Sequence, residues 1–195
     1  MTAASLAFDQ VSCRRGDRIL FRGLSFSLMA GDSAIVTGPN GSGKSSLLRL
    51  AAGLLAPAGG AILRSGATGW LAEREALDTH LPLVEALAFW AAVDGLPPAD
   101  VEPALEALDI APLAEVPVRL LSTGQRRRAG LARIVLSKAP IWLLDEPANG
   151  LDANSVARLQ AILERHVASG GILLAATHQP LGLTSLRTIE LGSAR

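Results

Sequence analysis

Two stretches near the N-terminus, 5–11 (SLAFDQV) and 18–28 (RILFRGLSFSL), alternate apolar and polar residues in part, with Arg15-Gly16-Asp17 between them. Alternation with period two predicts half-buried strands around a tight connection. The next apolar run, 33–37 (SAIVT), does not alternate and is β-branched at its end, as suits a strand buried on both faces of a parallel sheet. A glycine-rich segment comes next, then SSLLRLAAGLL, whose apolar residues recur at helical spacing. Gly59-Gly60 mark a turn before a short strand at 61–63, and Trp70-Leu71 end another.

From about residue 75 the pattern turns helical. LPLVEALAFWAAV and DVEPALEALDI are joined by Pro97-Pro98, and 123–137 (TGQRRRAGLARIVLS) gives a third helix. A continuous apolar run then reappears at 141–146 (IWLLDE), a second buried strand that ends in two carboxylates. A helix at 153–168 and strands at 172–176 and 188–191 complete an α/β alternation. The chain thus reads as an α/β core, about 1–74 and 136–195, carrying an inserted helical subdomain at about 75–135, all within one domain of 1–195. There is no internal repeat and no low-complexity segment.

Composition narrows the classes. Apolar residues make up 49% of the 195, so a full core is available. The 18 basic residues equal the 18 acidic ones, which argues against a broad nucleic-acid footprint. The one cysteine, Cys13, excludes an internal disulfide framework and a multi-cysteine zinc site. The most apolar stretches are interrupted, 47–63 by Arg49 and Pro57 and 83–96 by Glu85 and Asp94, so no membrane-spanning helix is expected. The first residues lack a basic region followed by a long apolar one, so no export leader is expected either. The chain alone should be soluble. A mean hydropathy of +0.34 leaves room for an apolar partner-facing surface, though an alanine-rich composition accounts for the same figure.

The glycine-rich segment carries the chemistry. Gly38-Pro39-Asn40-Gly41-Ser42-Gly43-Lys44-Ser45 matches G-x-x-x-x-G-K-[ST] in full, between a predicted strand and a predicted helix. Glycines let successive backbone N–H groups converge on an anion, and the helix N-terminus adds partial positive charge at that point. Lys44 is placed to neutralise β- and γ-phosphates, and Ser45, followed by Ser46, to offer a hydroxyl to Mg²⁺. An ordinary glycine turn with an exposed lysine would not need the flanking strand and helix. The core is therefore expected to be a P-loop NTPase of the RecA-like kind. Asp145 and Glu146, at the end of a buried strand, fall at the carboxyl edge of the sheet beside that loop. Asp145 is expected to hold Mg²⁺ and Glu146 to orient or deprotonate the attacking water.

Leu121-Ser122-Thr123-Gly124-Gln125 ends 20 residues before Asp145 and is similar to the LSGGQ signature of the ABC ATPases, with Thr for the first Gly. Asn149-Gly150-Leu151-Asp152 resembles the D-loop of that family, and His178, after ILLAAT, sits where the family keeps a switch histidine. The resemblance covers essentially the whole chain. It implies an ABC-type ATPase that binds ATP and Mg²⁺, with Glu146 and His178 catalytic. It further implies head-to-tail pairing of two copies, in which the signature of one closes over the ATP of the other. Ser122 and Gly124 would then supply donors to the γ-phosphate; Ser122 is also a ready helix N-cap. A separate membrane-spanning subunit would convert closure into transport, placing the chain peripherally on the cytoplasmic face of the inner (plasma) membrane.

Within the family the chain looks like the ATP-binding subunits of the haem exporter of cytochrome c biogenesis, through Val11-Ser12-Cys13-Arg14-Arg15-Gly16, LFRGLSFSL, SLLRLAAGLLAPAGG and LSKAPIWLLDEP. That resemblance implies a CcmB-like membrane partner, with a CcmC-like one as a further candidate, and no nucleic acid. Another small ABC exporter is the alternative. A soluble ABC ATPase of repair or translation would carry coiled-coil insertions or basic arms, and a GTPase an N-K-x-D motif; this chain has neither.

Two departures stand out. The family has a glutamine after the strand that follows the phosphate-loop helix, where it meets Mg²⁺, but no Gln lies between Gln10 and Gln125. In 70–75 (WLAERE) Arg74 is the best match, a cation beside a metal, with Glu73 or a water left to ligate. The family's adenine-stacking aromatic is also missing, and Arg15 occupies that place; a guanidinium can stack on a base. In Arg126-Arg127-Arg128, Arg128 matches the family pattern and the other two read as a solvated helix face.

Overall fold

A computed structural model describes residues 3–192. Strand β1 (Ser5–Arg15) pairs with β2 (Arg18–Met29) as an antiparallel hairpin and, on its other edge, with β4 (Gly59–Ser65), in the order β2-β1-β4. The alternation of β1 is only partial because the strand is bulged. Its register shifts between Phe8 and Val11 against β2 and between Asp9 and Ser12 against β4, and Gln10 adopts φ +50°. Gly60 crosses this bulge so closely that a Cβ there would collide with the carbonyls of Asp9 and Gln10.

The second sheet is parallel throughout. Its order is β5-β6-β7-β3-β8, from β5 (Thr68–Leu71), β6 (Ile141–Asp145), β7 (Ile172–Ala176), β3 (Ser33–Thr37) and β8 (Arg187–Glu190). Every residue of β6 and β7 is buried, which is why both read as unbroken apolar runs. Period two persists all the same, because each face feeds a different core. Ile141, Leu143, Ile172 and Leu174 pack with helix α1 (Lys44–Ala51) beneath the antiparallel sheet. Trp142, Leu144, Leu173 and Ala175 pack on the opposite side with α2 (Leu83–Val93), α3 (Val101–Ala107), α4 (Thr123–Leu136) and α5 (Ala153–Ala168).

The expected α/β core with a helical insertion is what folds. Helix α1 ends at Ala51 rather than running through Leu55, because the chain reverses at Gly53, whose N–H bonds the Leu50 carbonyl. The strand expected at 61–63 extends over Gly59–Ser65, drawn out by pairing with β1. Among the described residues no helix is long and apolar enough to cross a membrane.

At the C-terminal end of α5, His166 stacks on Trp142 with ring centroids 3.8 Å apart and planes 8° from parallel. Gly171 crosses against the same imidazole, where a Cβ would run into the ring. Burial lowers the His166 pKa from its ordinary 6.5, with the Ile172 carbonyl pulling the other way. A histidine with a depressed folded pKa favours its neutral form. Its contribution is complete above the ordinary value and is lost as pH falls toward the folded one. Urea midpoints should therefore fall between about pH 7.5 and about pH 5.5, the window around an ordinary histidine. His166→Gln should be less stable at the upper pH and show a shallower fall; an equal slope in both proteins would remove His166 as its source.

Candidate nucleotide site

The glycine-rich loop leaves the carboxyl end of β3 and feeds directly into α1. Gly38 takes φ +142°, and a Cβ there would strike the Leu191 carbonyl and come within 2.9 Å of Ser42 Oγ. Gly43, at the N-cap of α1, offers no side chain to the first-turn N–H groups, so they remain for an anion. Ser42 Oγ is buried with no hydrogen-bond partner in the protein. Lys44 Nζ lies across the same loop, donating to the carbonyls of Gly38 at 2.8 Å and Pro39 at 3.3 Å.

A cleft of about 670 Å³ opens on this loop. Asn40, Gly41, Gly43, Lys44, Ser45 and Ser46 line one side, with Arg15 from the β1–β2 hairpin nearby. Asp145, Glu146, Asn149 and His178 line another, and Glu73, Glu75, Thr123 and Arg127 complete it. Gly38, Pro39 and Ser42 shape the loop from behind without lining the cleft. Asp145 is buried at the end of β6. The next residue, Glu146, leaves the sheet with φ +47°, its N–H donating to the Ala176 carbonyl at 2.7 Å. Its Oε1 comes within 3.1 Å of His178 Nε2. The loop, both strand-end carboxylates and the histidine thus border one cleft.

The signature residues are built differently. Leu121 is buried, and Ser122 and Gln125 form a reciprocal capping box at the start of α4. Ser122 N–H donates to Gln125 Oε1 at 2.8 Å, and Ser122 Oγ accepts from Gln125 N–H at 3.3 Å. Gly124 rests against the D-loop, so closely that a Cβ would lie 2.7 Å from the Gly150 carbonyl. Asp152 caps α5 by accepting from Ser155 N–H at 2.8 Å, and the bonds from Ser155 hold its carboxyl below the usual range. Of these residues only Thr123 faces the cleft of its own chain.

Two expectations fail. Arg74 is exposed and outside the cleft, whereas its neighbours Glu73 and Glu75 line it. The segment after β5 turns so that the residues flanking Arg74 face inward, and no cation from this segment sits there. Arg127, read as part of a solvated face, is 3% exposed. Its guanidinium donates to the carbonyls of Ala72 at 2.8 Å, Glu146 at 2.7 Å and Asp145, and it pairs with Glu75 at 3.3 Å. Helical spacing contained the signal: Gly130, Leu131 and Ile134, at i+3, i+4 and i+7 from Arg127, are all buried. Its neighbours behave otherwise, Arg126 donating to the Leu121 carbonyl at 2.7 Å and Arg128 to that of Asp109 at 2.9 Å.

Residues 21–149 match the family model described as ABC transporter. The chain is 56% identical over 189 residues to the cytochrome c biogenesis ATP-binding export protein CcmA of Zymomonas mobilis subsp. mobilis, covering 96% of this chain and 85% of that one. It is 51% identical over 187 residues to the protein of the same description from Sphingopyxis alaskensis, covering 96% of each. Among solved structures, an ATP binding subunit of an ABC transporter aligns with TM-score 0.80 at 25% identity, over 89% of this chain and 79% of that one. A bacterial Atm1-family ABC exporter with ATP bound shares the fold, with TM-score 0.84 at 24% identity, over 100% of this chain and 38% of that one.

Because Arg74 stands clear of the cleft, Arg74→Gln should leave ATP hydrolysis within about threefold of wild type, ~0.65 kcal/mol in barrier. Steady-state phosphate release measures it, and a loss beyond about 10-fold would give Arg74 a role its position does not explain.

Proposed function

The chain belongs to the ABC transporter ATP-binding proteins and is the ATPase subunit of such a transporter, and we propose that it energises the haem exporter of cytochrome c biogenesis. The observation that carries the ATPase chemistry is the cleft in which the phosphate loop, Asp145 and the Glu146–His178 pair meet. The export assignment rests on the similarity to the two CcmA proteins, which extends over 96% of the chain. The whole chain acts as a single ABC ATPase domain.

ATP binds with its phosphates on loop 38–45 and Ser46. The α1 N-terminus and Lys44 meet the charge of the β- and γ-phosphates. Arg15, on the cleft wall, packs on the base. The Ser45 hydroxyl and the Asp145 carboxylate line the same cleft beside the loop. That suits Mg²⁺, which is held by one or two protein oxygens together with substrate phosphates. Ser45 and Asp145 would hold it, and it would supply charge neutralisation at the transferred phosphoryl group. Glu146 takes a proton from the attacking water as that oxygen bonds the γ-phosphorus and the bond to ADP breaks. His178, at 3.1 Å from Glu146, holds water and γ-phosphate in line.

Ser122 and Gly124 do not line their own chain's cleft, which supports their use by a second copy. In the head-to-tail pair the Leu121–Gln125 segment of one chain supplies donors to the γ-phosphate held by the other. Asp152 lies beside that junction, through the contact between Gly124 and Gly150. Transport requires a membrane-spanning partner of the CcmB kind, with a CcmC-like protein a further candidate. Phe89 and Val93, 59% and 58% exposed on α2, supply apolar surface for such a partner. The chain then lies peripherally on the cytoplasmic face of the inner membrane.

Lys44→Ala should weaken ATP binding by at least about 100-fold, ~2.7 kcal/mol, in equilibrium titration; unchanged affinity sinks the site assignment. Glu146→Gln should bind MgATP, hydrolyse it at least about 100-fold more slowly, and accumulate as an ATP-bound dimer in sizing chromatography. Adding Ser122→Arg should abolish that dimer by placing bulk where the neighbour's γ-phosphate approaches. A Glu146→Gln protein that holds ATP tightly yet stays monomeric counts against trans assembly.

A further inference from the structure

We propose that Arg127 is a positioning residue for ATP hydrolysis. In this reading its guanidinium holds the Glu146 peptide in the left-handed conformation that brings the Glu146 carboxylate to His178. The inference rests on the proposed role of Glu146 as the base.

Glu146 is the one non-glycine residue of the described site in the left-handed region, with φ +47° on a side chain that disfavours it. Such a conformation persists only where the surroundings fix it. Here the peptide is gripped from both ends. The Glu146 N–H donates to the Ala176 carbonyl of β7 at 2.7 Å. On the other side the Glu146 carbonyl accepts from Arg127 at 2.7 Å, and the Asp145 carbonyl accepts from the same guanidinium nitrogen. Asn149 N–H also reaches the Glu146 carbonyl, at 3.0 Å, but it belongs to the same turn and moves with it. Of the two ties on the Glu146 carbonyl, Arg127 is the one that comes from a different element.

The guanidinium is itself fixed. A buried cation is retained only where its charge is paired, and here both terminal nitrogens are bonded while the buried Nε has no partner. The second terminal nitrogen of Arg127 donates to the Ala72 carbonyl at 2.8 Å and pairs with Glu75 at 3.3 Å. Glu75 is seated against α4 one turn further on, where a Cβ at Gly130 would lie 2.6 Å from Glu75 Cγ. Glycine at 130 therefore makes the space in which Glu75 meets Arg127. Residues 72–75 lie between β5 and the helical lobe, so one side chain ties that segment, helix α4 and the catalytic turn together. A staple serving stability alone has no reason to direct its bonds to the two peptides that carry the metal-binding and water-activating carboxylates.

Steady-state hydrolysis by the 195-residue chain, with ATP affinity and thermal melting measured on each variant, tests this. Arg127→Met keeps length and apolar volume but removes the donors; kcat should fall at least about 10-fold while KM for ATP stays within about twofold. Arg127→Lys keeps the charge on a single nitrogen that cannot serve the Asp145 and Glu146 carbonyls and the Ala72–Glu75 side at once, and should recover part of that loss. Gly130→Ala leaves Arg127 intact and crowds Glu75 together with the Leu71 side chain, so kcat should fall about threefold, again at unchanged KM; it carries the test if Arg127→Met does not fold. Folded Arg127→Met or Gly130→Ala protein with wild-type kcat overturns the proposal. So does a parallel loss of kcat and ATP affinity, the mark of a general structural role. Glu146→Gln separates the two layers. If it is inactive while Arg127→Met is fully active, the positioning role alone is lost; if it hydrolyses at the wild-type rate, the base assignment falls and the positioning role with it.

Discussion

A strand buried on both faces has no place for a charge except at its ends, and this constraint on β6 organises the molecule. Four apolar residues, Ile141 to Leu144, face alternately into two cores, and only at Asp145 and Glu146 does the chain reach polar surroundings. The same holds for β7, apolar from Ile172 to Ala176 and followed by Thr177 and His178. Because every pair in this sheet is parallel, the carboxyl ends of β3, β5, β6 and β7 lie at one edge. The phosphate loop, residues 72–75, the carboxylate pair and the histidine are brought together by that edge. No long-range recognition between their side chains is needed to gather them.

Strand order then assigns the neighbours. β7 lies between β6 and β3, so the residues just after β7 stand between the carboxylates and the phosphate loop. His178 can therefore approach Glu146 while both line the cleft that Lys44 enters. β5 flanks β6 on the other side, which delivers Glu73 and Glu75 to the far wall. The roles proposed for these groups thus track the order of strands across the sheet rather than the order of motifs along the chain.

Much of this was legible in the sequence, since backbone periodicity and motif spacing are local properties. The buried runs at β6 and β7, the loop at 38–45 and the capping residues Ser122 and Asp152 each depend on a few neighbours in the chain. What escaped depends on tertiary geometry. The bulge in β1 at Gln10 is imposed by two partner strands and a close crossing at Gly60. Matching Arg74 to a motif position said nothing of which way the turn after β5 would face, and the cleft receives Glu73 and Glu75 instead. Arg127 was hidden by its company: three consecutive arginines look like a solvated face, yet successive residues on a helix point about 100° apart. Of the three, Arg127 is the one whose neighbours at i+3, i+4 and i+7, Gly130, Leu131 and Ile134, are all buried.

Helix α4 therefore carries two different parts of the machinery on one rigid element. Its N-terminus, closed by the Ser122–Gln125 capping box, presents the segment proposed to meet a second chain's ATP. About one turn later, Arg127 bonds the carbonyls of Asp145 and Glu146 in its own chain. Moving α4 as a body toward a partner's nucleotide must either carry the Glu146 peptide along or break a buried guanidinium from its acceptors. The second course is strongly disfavoured, because the charge would remain desolvated. In the proposed head-to-tail pair the signature segment of each chain would therefore be coupled to its own Glu146 peptide through this guanidinium.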